Sequence, residues 1–445
     1  MFRRLPCLFG FALAALSSAQ STVWARRIEY NGNNDFGSRV VVDASNNVYV
    51  AGSTNGSSDS DLLITKYSPT GSRLWIKKLG VSGRHDSAAA VRLDPQGNLI
   101  VGANSSVFYD DSDYLVLKLS TTGQQLWRRI YRDTSSRGNH LTSLSVDASG
   151  NVVVTGSTST DPISRDVITI KYGPDGTRKW IRRFGSPYMT DSGEVVETDA
   201  AGSIYVAGHT GGFSSDRDVL LMKYAPNGQL LWSQRFDGLY GEDESADDMK
   251  LDSAGRPVVL ARTDSWSSSD LAILKFNPNG AMIWSRIYAF DDGRAESNGR
   301  LDLDASDNVL VAASSKGEGG NDVLAVKYAA NGVFRWAYYY NSPYGFDDDV
   351  RDAVVDAKGS LFVTGVSYQS TDLSTGMDFL TLKFSPLGAL GWAERYDTEW
   401  HMNDGAQSVA LCPDGNVVVT GFSVLPSIDI APDADVYTIK YRSSG

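Results

Sequence analysis

Cysteine is nearly absent from this chain of 445 residues: Cys7 and Cys412 are the two it has, so a disulfide framework cannot hold the fold together. Histidine is scarce too, with His85, His140, His209 and His401 in separate segments and none of the H-x-x-x-H spacing that zinc sites use. Basic residues are outnumbered, and the formal net charge is −12 at pH 7. The basic stripe with which nucleic-acid binders neutralise phosphates is missing, so nucleic acid is not an expected partner. Long apolar runs are confined to the start, where Arg3 and Arg4 precede the run 5–16 and the small residues Ser17, Ser18 and Ala19. That run is too short for the ~30 Å of bilayer hydrocarbon and reads as a secretory signal peptide over 1–19, cut before Gln20. Cys7 precedes the apolar run, which argues against lipoprotein attachment. Loss of Arg3 and Arg4 takes the charge to −14 and leaves Cys412 as the single thiol. The mature chain 20–445 is expected to be one domain without a membrane span, a monomer, and either periplasmic or secreted to the cell surface.

What the chain has in abundance is repetition. The stretch DVITIKYGPDGTRKW at 166–180 belongs to a set of eight in register, beginning at Asp61, Asp113, Asp166, Asp218, Asp270, Asp322, Asp378 and Asp435. Their lysines are Lys66, Lys118, Lys171, Lys223, Lys275, Lys327, Lys383 and Lys440. A period of about 52 residues marks a repeat architecture. Each period carries four strand signals, which the second unit shows at 88–93, 98–103, 114–119 and 127–131, here called a, b, c and d. Short strands at regular spacing with Gly-rich turns and no helical pattern predict four-stranded antiparallel sheets of the propeller-blade kind.

Eight of the ten tryptophans, Trp24, Trp75, Trp127, Trp180, Trp232, Trp284, Trp336 and Trp392, open the d signals, where a large ring suits packing between blades. The chain begins with a lone d signal, from Trp24 to Tyr30, and its last unit stops after c. If that first strand becomes the outer strand of the last blade, the fold is an all-β, eight-bladed β-propeller with no unpaired seam.

Units such as DASGNVVVTGSTST (147–160) followed by DVITIKYGPDG (166–176) resemble the SBBP repeat, a β-propeller repeat of exported bacterial proteins. The likeness runs through essentially the whole mature chain; the family is named for seven blades, and eight units are counted here. The G-x-x-x-W turns, as in Gly71 to Trp75 and Gly176 to Trp180, are also similar to the tryptophan-docking motif of pyrroloquinoline quinone propellers, commonly eight-bladed. Both resemblances imply shape; members of the first family mostly lack an assigned activity.

Alternation in strand a sends Arg39, Arg92, Ser143, Ser145, Glu197, Asp248, Lys250, Arg300, Asp302, Asp352 and Ser408 towards a central channel, with charges of both signs expected to compensate across a water-filled axle. Eight residues before the end of each strand a stands an acid, Asp35, Asp86, Asp191, Glu244, Glu296, Asp348 or Asp404, with Asn139 in the third unit. These side chains suit capping of the turn into strand a. They are also the candidate metal ligands, for a hard cation such as Ca²⁺, although the chain has no dense D-x-D-x-D-G loop. Asp43, Asp94, Asp147, Asp199, Asp252, Asp304 and Asp356 end strand a and are expected to bond their own turn backbones; Cys412 occupies that position in the eighth unit. Basic residues on strand d, among them Arg26, Arg27, Lys77, Lys78, Arg128, Arg129, Arg182 and Arg183, read as a solvated belt guarding an edge.

The a–b and c–d turns are short and alike, whereas the b–c and d–a connections vary and share one face. Variable loops on a rigid scaffold carry binding. That face holds the four histidines with Trp266, Trp400, Phe108, Tyr109, Phe213, Tyr240, Tyr344 and Tyr368. The expected function is therefore an exported binding or scaffold module that docks a protein or a glycan there, with no cofactor. The alternative is an enzyme: a carbohydrate-active hydrolase or lyase using two carboxylates, or a quinone-dependent dehydrogenase. The quinone version is disfavoured because the mature chain has no vicinal cysteine pair.

Overall fold

A computed structural model describes residues 22–56, 59–107, 111–133, 138–159, 164–185, 189–212, 217–238, 243–264, 269–288, 295–317, 319–369, 376–398, 400–426 and 433–443. Among them are 32 strands and no helix, paired into eight four-stranded antiparallel sheets. Blade 1 contains strand a Asn34–Val42, b Val48–Asn55, c Ser60–Tyr67 and d Arg73–Leu79, and blades 2 to 7 repeat that order as far as Tyr396. Blade 8 takes a from Asp404–Leu411, b from Val417–Leu425, c from Asp433–Tyr441, and its outer strand from Thr22–Ile28. The N-terminal closure expected from the repeat is thus present, with Trp24 opposite Lys440 and Ile28 opposite Val436.

Strands b and c are buried on both faces because each blade is sandwiched between two others. In strand c of blade 1, for example, every residue from Leu62 to Tyr67 is buried. The apolar clusters consequently span neighbours: Trp24, Ile28 and Val436 of blade 8 pack with Val40, Val48 and Leu63 of blade 1. The closing joint is therefore made of the same apolar contacts as the others.

Two details depart from the sequence reading. Strand d begins two residues before its tryptophan, as in Gln125–Tyr131 around Trp127. Strand a does not alternate throughout: it carries a bulge at the same place in every blade, between Gly37 and Arg39, Ala88 and Ala90, Leu141 and Ser143, and so on round the ring. A bulge flips the facing of all residues on one side of it. It also drives the strand-a backbone against strand b, where a Cβ on Gly52, Gly156, Gly208, Gly365 or Gly421 would collide with a strand-a carbonyl. The glycine in runs such as VVVTGS is there for that approach.

Deleting residues 22–28 should leave blade 8 with three strands and expose one flank of blade 1, lowering the thermal midpoint of the whole ring, as read by circular dichroism. Trp24→Ala alone should destabilise by about 3–5 kcal/mol, the usual cost of emptying a buried aromatic site; an unchanged midpoint for both variants would contradict closure by this strand.

Candidate functional site

The turn face is occupied by blade construction. Trp127 Nε1 and Lys118 Nζ of blade 2 donate to one carbonyl, that of Pro174 in the c–d turn of blade 3, at 2.9 and 3.0 Å. Trp284 and Lys275 of blade 5 share the Ala330 carbonyl of blade 6 in the same way, both at 3.2 Å. The turn glycine lies flat on the indole: Gly176 has φ +77°, and a Cβ there would sit 2.8 Å from Trp127. Each lysine also meets an Asp at the end of strand a, Lys118 with Asp94 at 2.7 Å and Lys275 with Asp252 at 2.8 Å. Burial works against ionisation of Asp94, but Lys118, the Asn98 side chain and backbone amides outweigh it, and its pKa is lowered. Asp43, Asp147, Asp252 and Asp304 are held low by the same kind of partners.

At Cys412, where that Asp is replaced, Lys440 turns instead to Asp414 in the a–b turn, at 2.7 Å. Burial pushes the Cys412 thiol up to about 12, so it stays protonated and unreactive. The basic belt of strand d is not simply solvated. Arg26, Arg129, Arg182 and Arg286 stack on their own blade's tryptophan and donate from Nε to the glycine carbonyl of the next blade's turn. Arg27, Lys78 and Arg183 pair with the strand-c acids Asp435, Asp61 and Asp166.

Around the axis, polar side chains join successive inner strands. Asp248 Oδ2 accepts the Leu301 amide at 3.0 Å and Asp352 Oδ2 the Val409 amide at 3.0 Å. The Ser143 hydroxyl accepts the Val196 amide at 3.2 Å, and that of Ser408 the Val40 amide at 3.4 Å. Arg39 and Arg300 donate from Nε to bulge carbonyls of the following blade, those of Ala89 and Arg351. Lys250 is raised by the charge of Asp248, against the opposing effect of burial, with Glu197 and Asp302 adding to it. Charges of both signs thus face one another round the axis, while burial still raises Glu197 and Asp302 and lowers Arg39.

The acids at the head of strand a sit in the seams between blades near the loop face and are 0–1% exposed. Asp35 accepts the Tyr30 amide at 2.5 Å, Asp86 that of Val81 at 2.6 Å, Asp348 that of Ser342 at 2.6 Å and Asp404 that of Thr398 at 2.8 Å. Each donor lies on the connection arriving from the previous blade. Strand-b hydroxyls add a second bond: Thr158 to Asn139, Thr263 to Glu244 and Ser315 to Glu296. Asp191 is buried in the equivalent place. Burial pushes Asp35, Asp348 and Asp404 up to about 6, and the neighbouring strand-c acids Asp435, Asp322 and Asp378 push the same way.

The ligand-face residues are dispersed. His85 and His140 are exposed at the start of strand a, while His209 lies at the end of a strand b, half-buried, 3.8 Å from Glu194. Trp266, Phe108, Tyr109, Phe213 and Tyr240 fall outside the described residues. The sector of blades 7 and 8 does gather groups: Tyr344 is 51% and Trp400 44% exposed. Arg395 stacks over Tyr344 at 4.4 Å and reaches Asp378 at 2.5 Å, and half-buried Tyr368 ends strand b of the same blade. His401, in a left-handed backbone with φ +50°, places Nδ1 2.6 Å from Asp397, whose hydrogen bond and charge raise its pKa.

Sequence reasoning missed an apolar arc on the opposite rim. Leu230, Leu231, Met282, Ile283, Val333, Phe334 and Leu387 are exposed on consecutive blades. Its sequence signal was available, since the two residues before Trp232 and Trp284 are apolar where those before Trp180 are charged. A shallow groove of about 740 Å³ beside this arc is lined by Lys275, Trp284 and Ala330, which belong to the docking contact.

The architecture is that of an eight-bladed β-propeller. The beta-propeller repeat (SBBP) family matches residues 23–58, across the closing strand and the first two strands of blade 1. No curated protein matches the chain. Among solved structures, Sqt1 from Chaetomium thermophilum is similar with a TM-score of 0.55 at 12% identity, over 97% of this chain and 100% of that one. The same protein bound to the N-terminus of the ribosomal protein L10 gives 0.53 at 12%, over 92% and 97%. Virginiamycin B lyase from Staphylococcus aureus gives 0.45 at 7%, over 76% and 95%. These likenesses concern the fold.

The two sets of acids set a pH optimum. Carboxyls raised in the fold, Asp35, Asp348, Asp404 and Asp435, contribute stability that is full below the unfolded pKa near 4 and is lost as pH rises through about 6. Carboxyls lowered in the fold, such as Asp94 and Asp304, contribute above that unfolded value and lose their effect as the solution is acidified further. The melting temperature should therefore peak near pH 4, fall as pH rises through about 6 and stay lower at pH 8. A calorimetric profile rising monotonically to pH 8 would contradict this.

Proposed function

We propose that the protein is an exported, monomeric β-propeller that docks a protein or glycan ligand on the face formed by the b–c and d–a connections, in the sector of blades 7 and 8. The observation that carries this reading is the pair of exposed rings, Tyr344 and Trp400, set beside the charged network of Arg395, Asp378, Asp397 and His401. Aromatic faces stack on sugar rings or peptide side chains, and fixed charges around them orient polar partners. Elsewhere the repeated residues bond to one another. Sqt1, a ring of similar shape, is bound to a peptide terminus of a ribosomal protein, which supports a ring of this kind as a docking scaffold. Export is supported by the N-terminal signal pattern and the SBBP match, and among the described residues no helix is long and apolar enough to cross a membrane.

One observation favours a second reading, a carbohydrate-active enzyme: the His401–Asp397 pair gives an oriented imidazole beside an exposed tryptophan. Polysaccharide cleavage abolished by His401→Ala would support it.

Glycan and peptide arrays probed with the mature protein should give binders whose signal falls about tenfold or more in Trp400→Ala, as for a central aromatic anchor. Ile283→Ser on the opposite rim should leave the signal intact. Loss with Ile283→Ser and retention with Trp400→Ala would move the docking surface to the apolar arc.

A further inference from the structure

Between blades 4 and 5 the seam holds three carboxylates instead of two. Asp218 comes from strand c of blade 4, Asp237 from just beyond its strand d, and Glu244 from the head of strand a of blade 5; each offers one oxygen within 4.8 Å of the others. Glu244 is 1% exposed, and its Oε1 accepts the Thr263 hydroxyl at 3.0 Å. Its Oε2 is buried with no hydrogen-bond partner among the described residues, as is one oxygen each of Asp35, Asp86 and Asp348 in their seams, but here the seam also holds a third carboxylate. Leaving a buried carboxylate oxygen unsatisfied is costly, and where three carboxylates converge a group of opposite charge relieves that cost. Arg235 supplies part of it by engaging Asp218 Oδ2 through two nitrogens. Three carboxylates against one guanidinium still leave an excess of negative charge that suits a divalent ion. Asp237 is exposed, which gives a way in from solvent.

The equivalent seam between blades 7 and 8 brings Asp378, Asp397 and Asp404 together. There more of the charge is answered from within: Arg395 and Gln369 hold Asp378, His401 holds Oδ2 of Asp397, and Thr398 engages both oxygens of Asp404 by amide and hydroxyl, while Asp397 Oδ1 has no partner among the described residues. At the seams of Asp35, Asp86, Asp191, Glu296 and Asp348 no third carboxylate joins among the described residues.

We propose that Asp218, Asp237 and Glu244 bind one divalent cation of the calcium type, which clasps blade 4 to blade 5 at the loop-face end of their seam. Calcium accepts carboxylate oxygens in flexible geometry and completes its shell with water, which suits a site walled by protein on one side and open at Asp237. The ion would fix the connection that leaves strand d of blade 4. It concerns a different sector from the docking surface and stands independently of it.

The test is calorimetric titration of CaCl₂ into the chelator-treated mature protein near neutral pH. The expected isotherm shows one site per chain, with a matching rise in melting temperature. Asp237→Asn, at an exposed position that does not threaten folding, should weaken binding about tenfold or more. Glu244→Gln should do the same while keeping the Oε1 hydrogen bond to Thr263, and Asp404→Asn should leave the isotherm unchanged. Absence of heat beyond dilution, or an isotherm insensitive to Asp237→Asn, overturns the proposal.

Discussion

The ring depends on one shared acceptor: in blades 2, 3, 5, 6 and 7 a carbonyl of the c–d turn receives both the indole N–H and the lysine ammonium of the blade before it. The arrangement explains why Lys and Trp recur together. Lys275 is 1% exposed and would be expensive to bury alone, yet it is answered by Asp252 and by the Ala330 carbonyl at once. Its ammonium fixes the aspartate, the aspartate fixes the a–b turn, and the carbonyl fixes the neighbouring blade. One group therefore couples the folding of a turn within a blade to the placement of the next blade. Trp392 shows what happens where the pattern is interrupted: Lys383 reaches the Ser443 carbonyl, but the Trp392 indole N–H has no partner among the described residues.

The two ends of strand a are electrostatic opposites. At the turn end a carboxylate is kept ionised by lysine, asparagine and backbone donors. At the loop end a carboxyl is buried with a second acid close by and is biased towards its protonated form. The first arrangement favours a rigid turn face. The second leaves the seams under the loop face sensitive to protons and, at the Asp218–Asp237–Glu244 convergence, to cations. That contrast coincides with the division between uniform turns and variable loops.

The blade count, the strand order, the closure and the packing role of the tryptophans were legible because each depends on residues that recur at a fixed spacing. Features built by meetings between repeats were not. The bulge in strand a leaves a trace in the strand-b glycine of YVAGS or VVVTGS, but reading it requires knowing which carbonyl approaches. Replacement of the strand-a acid at Cys412 by Asp414 is invisible to alignment of the units, since the substitute comes from a different position of the turn. The three-carboxylate seam draws on Asp218, Asp237 and Glu244 from two strands and a connection, and only folding makes them neighbours. At the loop face, exposure decided more than residue type: Trp400 and Tyr344 stand out, whereas His209 is half-buried against Glu194.

Closure by Thr22–Ile28 also orders events in time. Arg27 and Asp435, 408 positions apart, are partners, so the strand Thr22–Ile28 has its place defined only when blade 8 has formed. Loop-closure entropy grows slowly with length, and the finished joint is no weaker in principle for being so remote. The search for it is nonetheless the longest-range step available to the chain, and long-range pairing is what slows β-folding. Until that step blade 8 has three strands, and the part of blade 1 that Trp24 and Ile28 cover stays open. A chain of this design thus has an interval in which it is nearly complete yet unsealed, and the same geometry would let a chain opened at another c–d turn assemble the identical wheel.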